Sequence, residues 1–586
     1  MDAVTLAVVR GAMEQVCDEM DMHLIRAALS PIISETNDCA HGIYDATTGE
    51  TIAQGRFGLP VFLAQMQFSV QAVIEKARAD GGLQPSDMWI MNDVYVGGTH
   101  LNDVTLLVPY FHEGELLAVL ANTGHWMDVG GATSGGWAPT APEIHYEGMI
   151  IPPVRLYEAG RLNQPLVDMI MANVRIPKEI NGDLTAMSAA LNVGRDRVGA
   201  LVQRYGADVI RECWREMTDR SERQMRSYIA EIPDGVYEFS DRLDNDGLVD
   251  EPLEVRLRVE VDGDDMLVDF TGSSPASMGP MNFSRSTAIS ACHVALKHIF
   301  LDVPVNGGTF RPVRFVIPEG SILDATYPRA VGGELEIIGH TLEGMFGALA
   351  QAIPARVPAC SFGTTGVVTA SGRRPDTGAY FVAVFPYPGG YGASAQSDGL
   401  VNGTPPQSQA NFMSLEASEH RYPLRFEHFA LREDSGGPGF HRGGCGTSYR
   451  FTTTSELVVS ILGDRADNPP FGIAGGGHGA PNQVRLHLGG KEVVPPLRTK
   501  LERQVLQAGD SVWAQSPGGG GFGDPLTRDV EAVERDLRLG YISQRTAEDV
   551  YGVVLADAHG GDGAPRVDRA ATERHRMLRA SAVDEA

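Results

Sequence analysis

Two histidines and an aspartate lie close together in the segment Asn92–Gly131, and side chains of these types bind divalent metals. His100 and Asp103 are three residues apart after a Gly-Gly pair, and His125 follows at the end of an apolar stretch. Two imidazoles and a carboxylate suit Zn²⁺, Mn²⁺ or Fe²⁺, whereas Ca²⁺ and Mg²⁺ prefer sites made of oxygen alone. The residues therefore predict a divalent-metal site, with tetrahedral and octahedral coordination both open.

A β-hairpin would have to position these side chains. Residues 103–111 (DVTLLVPYF) and 115–124 (ELLAVLANTG) carry branched and aromatic residues at near-alternating positions, which indicates two strands. If the strands pair around Glu113–Gly114, their outer ends are adjacent, and the second histidine is brought close to the first histidine and the aspartate.

A further ligand is expected from the upstream segment SETNDCAHGIYDATTGE. Glu35, Asp38 and His41 are its candidates. The alternative interpretation is that polar side chains here only satisfy turns and strand ends, which is the usual role of a single histidine or aspartate. A His-x-x-Asp pattern together with a strand-end histidine is less common, so the local pattern leaves both interpretations open.

Two other features of the sequence are weak candidates for chemistry, and one common catalytic motif is missing. Residues 516–525 (SPGGGGFGDP) superficially resemble a phosphate cradle, but they lack the Lys-Ser/Thr pair of a P-loop, so we interpret them as tight turns. A Ser-centred G-x-S-x-G elbow is absent from the sequence. Cys39 is a poor nucleophile, because the neighbouring carboxylate of Asp38 disfavours its thiolate.

Two pairs of acids have the spacing of a general acid and base. Glu334 and Glu336 are predicted to alternate on one face of a strand, whereas Glu416 and Glu419 have helical spacing. Solvated faces and nearby arginines explain both pairs equally well, so we assign neither of them a catalytic role.

The composition limits the class of protein. A chain of 586 residues is expected to form two to four domains or lobes, and its 43% hydrophobic and 21% charged residues are typical of a folded protein. A net charge of −27 without any basic run argues against nucleic-acid binding. Six scattered cysteines without a CxxC pair, no signal-peptide pattern and no apolar run of bilayer length predict a soluble, cytoplasmic protein.

Three regions are predicted, in an α+β, multi-lobed fold. Residues 1–230 form an N-terminal metal-binding α/β region that opens with a long helix. Residues 231–530 form a β-rich body with a hairpin at an Asp-Gly pair and two interrupting helices. Residues 531–586 form C-terminal helices joined at Gly540 and a mobile tail after Ala558.

Several blocks of the sequence, in order from about residue 30 to residue 554, resemble the hydantoinase B family. They are NDVYVGGTHLNDV, NTGHWMDVGG, YEGMIIPPVRL, MANVRIPKEINGDL, DFTGSSPASMGPMNF, YPLRFEHFALREDSGGPGFHRGGCG and SPGGGGFGDP. This family includes the B-type components of N-methylhydantoinases and ATP-dependent lactamases, the C-terminal half of oxoprolinase and α-type subunits of acetone carboxylases. The resemblance implies a hetero-oligomer in which ATP with Mg²⁺ is bound by a separate hydantoinase A-type subunit.

The resemblance also implies a divalent transition metal, Zn or Mn, in this chain. Its ligands map onto His100, Asp103 and His125, and onto Asp38, which matches the aspartate of the family's E-x-x-D block. Glu35 is the second choice for that last position.

The chain departs from the family pattern at two positions near the implied site. Phe62 and Trp126 stand where many hydantoinase-type members have histidines, which predicts an apolar or aromatic substrate wall. Asn92, Asn122 and Asp128 are predicted to orient the ligands or the substrate.

The resemblance implies the B-type subunit of an ATP-dependent amidohydrolase that opens a lactam, a hydantoin or a cyclic imide. Phosphorylation of the carbonyl oxygen by the partner would create a good leaving group, and the metal would act as a Lewis acid or activate water. The alternative is a subunit of an ATP-dependent ketone carboxylase of the acetone or acetophenone type. A third hypothesis is a structural subunit whose metal site has decayed.

Overall fold

The fold is given by a computed structural model that describes residues 2–556 and 566–584. Its helices are α1 (Ala3–Ala27), α2 (Pro31–Ser34), α3 (Phe62–Ala79), α4 (Ile144–Glu147), α5 (Gln164–Asn173), α6 (Pro177–Tyr205), α7 (Ala207–Ile229), α8 (Arg285–Ile299), α9 (Gly307–Phe310), α10 (Glu334–Leu349), α11 (Leu415–Arg421), α12 (Val530–Leu539), α13 (Gln544–Asp549) and α14 (Arg569–Asp584).

Its strands are β1 (Cys39–Asp45), β2 (Thr51–Gln54), β3 (Met88–Met91), β4 (Asp103–His112), β5 (Glu115–His125), β6 (Val154–Glu158), β7 (Arg161–Leu162), β8 (Gly235–Leu243), β9 (Leu253–Asp262), β10 (Asp265–Asp269), β11 (Val313–Val316), β12 (Val367–Arg373), β13 (Tyr380–Pro386), β14 (Leu424–Leu431), β15 (Thr447–Thr453), β16 (Leu457–Leu462), β17 (Gln483–Leu488), β18 (Lys491–Val493), β19 (Leu501–Leu506) and β20 (Ser511–Gln515).

The largest sheet has seven antiparallel strands in the order β2-β1-β5-β4-β3-β6-β7. Its central pair is the predicted hairpin of β4 and β5, which is confirmed. Glu113 and Gly114 form the two-residue turn with φ angles of 50° and 84°. Positive φ at both positions matches the right-handed twist of the strands, as hairpin turns of this length require.

The predicted opening helix, α1, is also confirmed. The carboxylate of Asp2 caps it by accepting hydrogen bonds from the backbone N–H groups of Val4 and Thr5. Apolar residues at helical spacing, such as Val9 and Met13, are buried. Helices α1 and α6 pack against each other and against the large sheet.

The second sheet has the order β11-β10-β9-β8. Its β9–β10 hairpin turns at Gly263, where φ is 63°, which confirms the hairpin predicted at the Asp-Gly pair. Helix α10 packs on β8 and β9 and against α8. The two helices predicted to interrupt the β-rich body are thus α8 and α10.

The last two sheets enclose a hydrophobic core of their own. They have the orders β13-β12-β16-β19 and β14-β15-β20-β17-β18. Phe385, Tyr449 and Phe451 are among the buried residues between them. The predicted fold class is confirmed in its coarse form, a mixture of helices with several sheets, while the division into three regions stays a prediction.

The packing gives the first two predicted regions a common core. One continuous cluster of buried apolar side chains draws its members from both regions, the first being Leu6 and the last Leu462. A smaller cluster holds α12 and α13, which are joined at Gly540 in the left-handed conformation, as the sequence predicts. The sequence predicts a mobile tail after Ala558, but the structure places helix α14 in this part of the chain. Residues 557–565 and 585–586 lie outside the described residues.

The structure corrects two interpretations of local sequence. Glu334 and Glu336 lie in the first turn of α10, not on a strand, because the pair begins a buried apolar helix. Residues 516–525 are neither turns nor a phosphate cradle, since most of them are buried and their amides bind other loops of the chain. The amide of Gly520 donates to the carbonyl of Cys360 at 2.7 Å, and a Cβ there would meet the carbonyl oxygen of Phe471 at 1.9 Å. Glycine is therefore needed for close packing.

The described helices include none with both the length and the apolar character needed to cross a bilayer.

A buried ionic network joins the second sheet, α10 and the third sheet. Arg465 binds both carboxylate oxygens of Asp241, with N–O distances of 2.9 and 2.6 Å. His340 bridges Asp241 and Asp464, at 2.9 and 3.2 Å. Lys500 binds Asp464 at 2.6 Å. All five side chains are buried, so each charge depends on the others for the solvation that it has lost.

We expect R465M to destabilise the fold, because it leaves the carboxylate of Asp241 buried without its bidentate partner. The free energy of unfolding should fall by about 3–5 kcal/mol. Thermal denaturation followed by circular dichroism measures the change. R374M is the matched control, since Arg374 pairs with Asp376 on an exposed loop. Equal melting temperatures for R465M and the wild type would contradict this role.

Candidate metal centre

The register of the central hairpin brings the predicted ligands together. Asp103 is the first residue of β4 and lies opposite His125, the last residue of β5. The Nδ1 atom of His125 is 3.1 Å from Oδ1 of Asp103. Directly opposite residues of an antiparallel pair place their side chains on the same face, so this contact follows from the register.

A tight turn adds His100 to the pair. The amide of Asp103 donates to the carbonyl of His100 at 3.0 Å, and this turn places Nε2 of His100 3.1 Å from Oδ2 of Asp103. The same Nε2 is 3.2 Å from Nδ1 of His125. The hydroxyl of Thr99 donates to Asp103 as well.

Burial makes the charges of this group interdependent. Burial by itself would lower the pKa of His100, but the carboxylate of Asp103 raises this pKa to about 9. Burial would raise the pKa of Asp103, yet the two histidines outweigh it and hold this pKa well below its usual range. The two shifts describe an ion pair between Asp103 and His100, which metal binding would replace with release of the histidine proton.

The three side chains fit a divalent transition metal. Each offers a nitrogen or oxygen atom, and these atoms lie within 4.8 Å of one another. His125 also has a buried Nε2 without a hydrogen-bond partner in the described part of the chain. Two imidazoles with a carboxylate are a donor set typical of zinc, manganese and iron sites. The assignment of this cluster as a metal site stays a prediction.

Asp38 borders the cluster rather than belonging to it. Its backbone carbonyl accepts a hydrogen bond from the amide of His125 at 3.1 Å, and its side chain lines the same cavity. Burial raises the pKa of Asp38 to about 6, although the two histidines act in the opposite direction. Its predicted role as a ligand remains a prediction.

The other two upstream candidates have different partners. Glu35 forms an ion pair with Arg421. Nδ1 of His41 binds Asp21 at 2.7 Å. His41 pairs with Asn122 and shares its face of the sheet. Asn122 comes three residues before His125 on the same strand, so strand alternation places His41 and His125 on opposite faces.

The residues predicted to orient the ligands do not touch them in the structure. Asn122 donates to His41 and to the carbonyl of Met187, on the opposite face of the sheet. Asn92 binds the backbone of Leu101, Met149 and Ile151. These contacts secure the loop that precedes the ligands.

Asp128 has the same kind of structural role. Its carboxylate accepts hydrogen bonds from the backbone and the guanidinium of Arg175, at 2.6 and 2.7 Å. Among the described residues, Thr99 is the one whose hydroxyl donates a hydrogen bond to a predicted ligand, Asp103.

A cavity of about 60 Å³ adjoins the cluster and is lined by both early and late parts of the chain. Phe62 lines it, as the sequence predicts, whereas Trp126 is buried elsewhere and is not among its lining residues. The indole at this wall belongs to Trp137, which stacks on His125 with ring centroids 4.8 Å apart. The predicted aromatic wall thus has Trp137 in the place proposed for Trp126.

Glu334 is a cavity residue to which sequence reasoning assigned no role. It is 1% exposed, and its Oε2 has no hydrogen-bond partner among the described residues. Burial raises the pKa of Glu334 to about 8, which favours its protonated form. The local signals were its position directly after a Gly-Gly pair and its spacing from Glu336, and neither distinguished it from a solvated surface acid.

The comparisons with known proteins identify the family. Residues 2–525 match the family described as Hydantoinase B/oxoprolinase, and the chain belongs to it. Its relatives include the beta subunit of the caprolactamase of Pseudomonas jessenii, which is 31% identical over 98% of this chain and 99% of that protein. The putative B-type component of a D-/L-hydantoinase from Pseudomonas sp. strain NS671 is 29% identical to this chain. The matched region covers 95% of this chain and 96% of that protein.

The similarity extends to a solved structure and to a carboxylase. The crystal structure of the ATP-dependent caprolactamase from Pseudomonas jessenii superposes with a TM-score of 0.90 at 30% identity, covering 98% of this chain and 100% of that one. The acetophenone carboxylase delta subunit of Aromatoleum aromaticum is 28% identical over 80% of this chain and 75% of its own length. The family therefore contains hydrolase and carboxylase subunits.

We expect the purified protein to bind a transition metal through the cluster. The variants H100A and H125A should each lose most of the bound metal, because each removes one of three donors. Metal content per chain, measured by inductively coupled plasma mass spectrometry after dialysis against Zn²⁺ or Mn²⁺, tests this. H112A is the matched control, since His112 lies at the other end of the same strand as Asp103. Wild-type protein without stoichiometric metal, unchanged in H100A, would favour the decayed-site hypothesis.

Proposed function

We propose that this chain is the metal-bearing B-type subunit of an ATP-dependent hydrolase that opens a lactam, a hydantoin or a cyclic imide. A partner A-type subunit would bind ATP with Mg²⁺ and phosphorylate the carbonyl oxygen of the substrate. The observation that carries this proposal is the His100–Asp103–His125 cluster at the wall of a small, mostly apolar cavity. The similarity to a caprolactamase subunit along nearly the whole chain supports it.

The chemistry requires both activation and a water-poor cavity. Amide resonance makes a lactam carbonyl a weak electrophile, and phosphorylation of its oxygen makes the carbonyl carbon more electrophilic. Water would add to this carbon, loss of the ring nitrogen would leave an acyl phosphate, and a second water would release the phosphate. A metal bound by the cluster would supply Lewis acidity or lower the pKa of a water molecule. Phe62 and Trp137 would exclude bulk water and hold the ring against the cluster.

Glu334 is suited to handle a proton in this reaction. Opening the ring breaks the bond between the carbonyl carbon and nitrogen, and the departing nitrogen must gain a proton. Glu334 lines the cavity, its burial favours the protonated form, and one of its carboxyl oxygens has no hydrogen-bond partner among the described residues. A positioned acid of this kind contributes about 10²–10⁴-fold to a rate.

The second candidate is a subunit of a ketone carboxylase, favoured by the similarity to the acetophenone carboxylase delta subunit and by the aromatic cavity wall. Here ATP would drive enol phosphorylation, and the same cavity would hold an enolate.

The reconstituted complex with an A-type subunit distinguishes the two candidates. We expect ATP turnover to depend on a ring amide, with release of the opened amino acid, and to be unaffected by a ketone with bicarbonate. Phosphate release and product mass spectrometry over a panel of lactams, hydantoins and ketones provide the measurement. Turnover that requires both ketone and bicarbonate would overturn the hydrolase proposal.

We expect E334Q to lower the kcat of ring opening by about 10²–10⁴-fold, because glutamine cannot donate the proton. Metal content and melting temperature should stay close to those of the wild type. E336Q is the matched control: Glu336 lies in the same helical turn, but it binds Thr364 and the amide of Gly366. A kcat for E334Q equal to that of E336Q would exclude Glu334 as the proton donor.

A further inference from the structure

Gln407 is a cavity residue with an unused hydrogen-bond acceptor. Its side chain is 1% exposed and lines the cavity next to the metal cluster. Its Oε1 is buried without a hydrogen-bond partner in the part of the chain that the structure describes. A buried acceptor without a partner costs free energy, which a hydrogen-bond donor entering the cavity would recover.

The neighbours of Gln407 fix the orientation of its amide group. Nε2 donates to the hydroxyl of Thr365 at 2.8 Å and approaches the backbone carbonyl of Leu335 at 3.4 Å. A carbonyl can only accept, so the NH₂ group must be on that side, and the opposite end of the amide is the acceptor. Gln407 is also held through its backbone, since its carbonyl accepts from the amide of Val61 at 2.9 Å.

We infer that Gln407 binds the ring N–H of the substrate and makes the site selective for cyclic amides that carry hydrogen on nitrogen. This inference rests on the proposed function and narrows its substrate class to secondary lactams, hydantoins and imides. The carbonyl of the ring would face the cluster, and the adjacent N–H would pair with Oε1 of Gln407. Phosphorylation of the carbonyl oxygen withdraws electrons from the nitrogen and makes this N–H a stronger donor.

The charges around the cavity favour an uncharged ring. The acidic and imidazole side chains that line it are Asp38, His100, Asp103, His125 and Glu334, and among the described lining residues there is no lysine or arginine. The wall beyond the cluster is mostly apolar, with Val367, Val384 and Phe412 among its residues. A carboxylate substituent directed at this wall would be buried without a partner, which is costly.

The size of the cavity agrees with a single small ring. A water molecule needs about 10–15 Å³ of such space, so 60 Å³ holds about four to six separate water-sized groups. This space therefore suits a small substrate and would not hold a much larger one.

The role of Gln407 also separates the two candidate functions. A ketone has no N–H, so it would leave Oε1 of Gln407 unpaired in the closed cavity. A lactam satisfies this acceptor and therefore gains an interaction that a ketone of the same shape cannot make.

The test compares two substrates in two forms of the reconstituted complex. The kcat/KM values for ε-caprolactam and for N-methylcaprolactam are measured with wild-type chain and with Q407M, whose side chain has similar length and no strong acceptor. We expect the wild type to prefer the N–H substrate strongly. Q407M should reduce kcat/KM for ε-caprolactam by about 10–100-fold and leave that for the N-methyl compound nearly unchanged. The selectivity for N–H should therefore collapse.

V384A is the matched control, since it changes an apolar part of the same wall and should affect both substrates to the same extent. Melting temperature and metal content show whether Q407M folds and keeps the cluster intact. Equal losses on both substrates, or no loss on ε-caprolactam, would overturn the role of Gln407 while leaving the hydrolase proposal standing. A wild-type complex that turns over ketone with bicarbonate and no ring amide would overturn both.

Discussion

The antiparallel register that places Asp103 opposite His125 is the constraint on which the candidate site depends. A shift of one residue would send one of these side chains to the other face of the sheet and separate the carboxylate from the imidazole. The two-residue turn at Glu113–Gly114 starts the pairing, which by itself would place Asp103 opposite Gly124. An irregularity between Tyr110 and Phe111 shifts the pairing by one residue, and this shift brings Asp103 opposite His125. The same pairing buries Asp103, and the two histidines then keep it ionised.

The cavity exists because late segments of the chain close over this sheet end. Residues of the β12–β13 pair and the loop that contains Gln407 form the wall that faces the histidines. Glu334, at the start of α10, completes it. A continuous core connects the first two predicted regions, and the network around Asp241 and Asp464 holds α10 against two sheets. Packing far from the cluster therefore determines where the cavity walls lie.

Several buried polar groups that line this cavity have incomplete hydrogen bonding. His125, Glu334 and Gln407 each have one buried side-chain atom without a partner among the described residues. Buried polar atoms in folded proteins are normally paired, because each unpaired one costs free energy. The metal and the ring amide that we propose would supply partners for these atoms. This is the physical basis for a ring amide that presents a carbonyl and an N–H on neighbouring atoms.

Local sequence patterns were sufficient for the elements and for the three-residue cluster. Strand alternation, a two-residue turn and the spacing of His100, Asp103 and His125 all act over short distances, and the structure agrees with them. Alternation could also have shown that Asn122, three residues before His125, faces the other way. Only the tertiary structure brought Trp137, Glu334 and Gln407 to the cavity, because they come from segments far apart in the chain. Their contacts depend on how sheets and helices pack, and no local pattern carries that information.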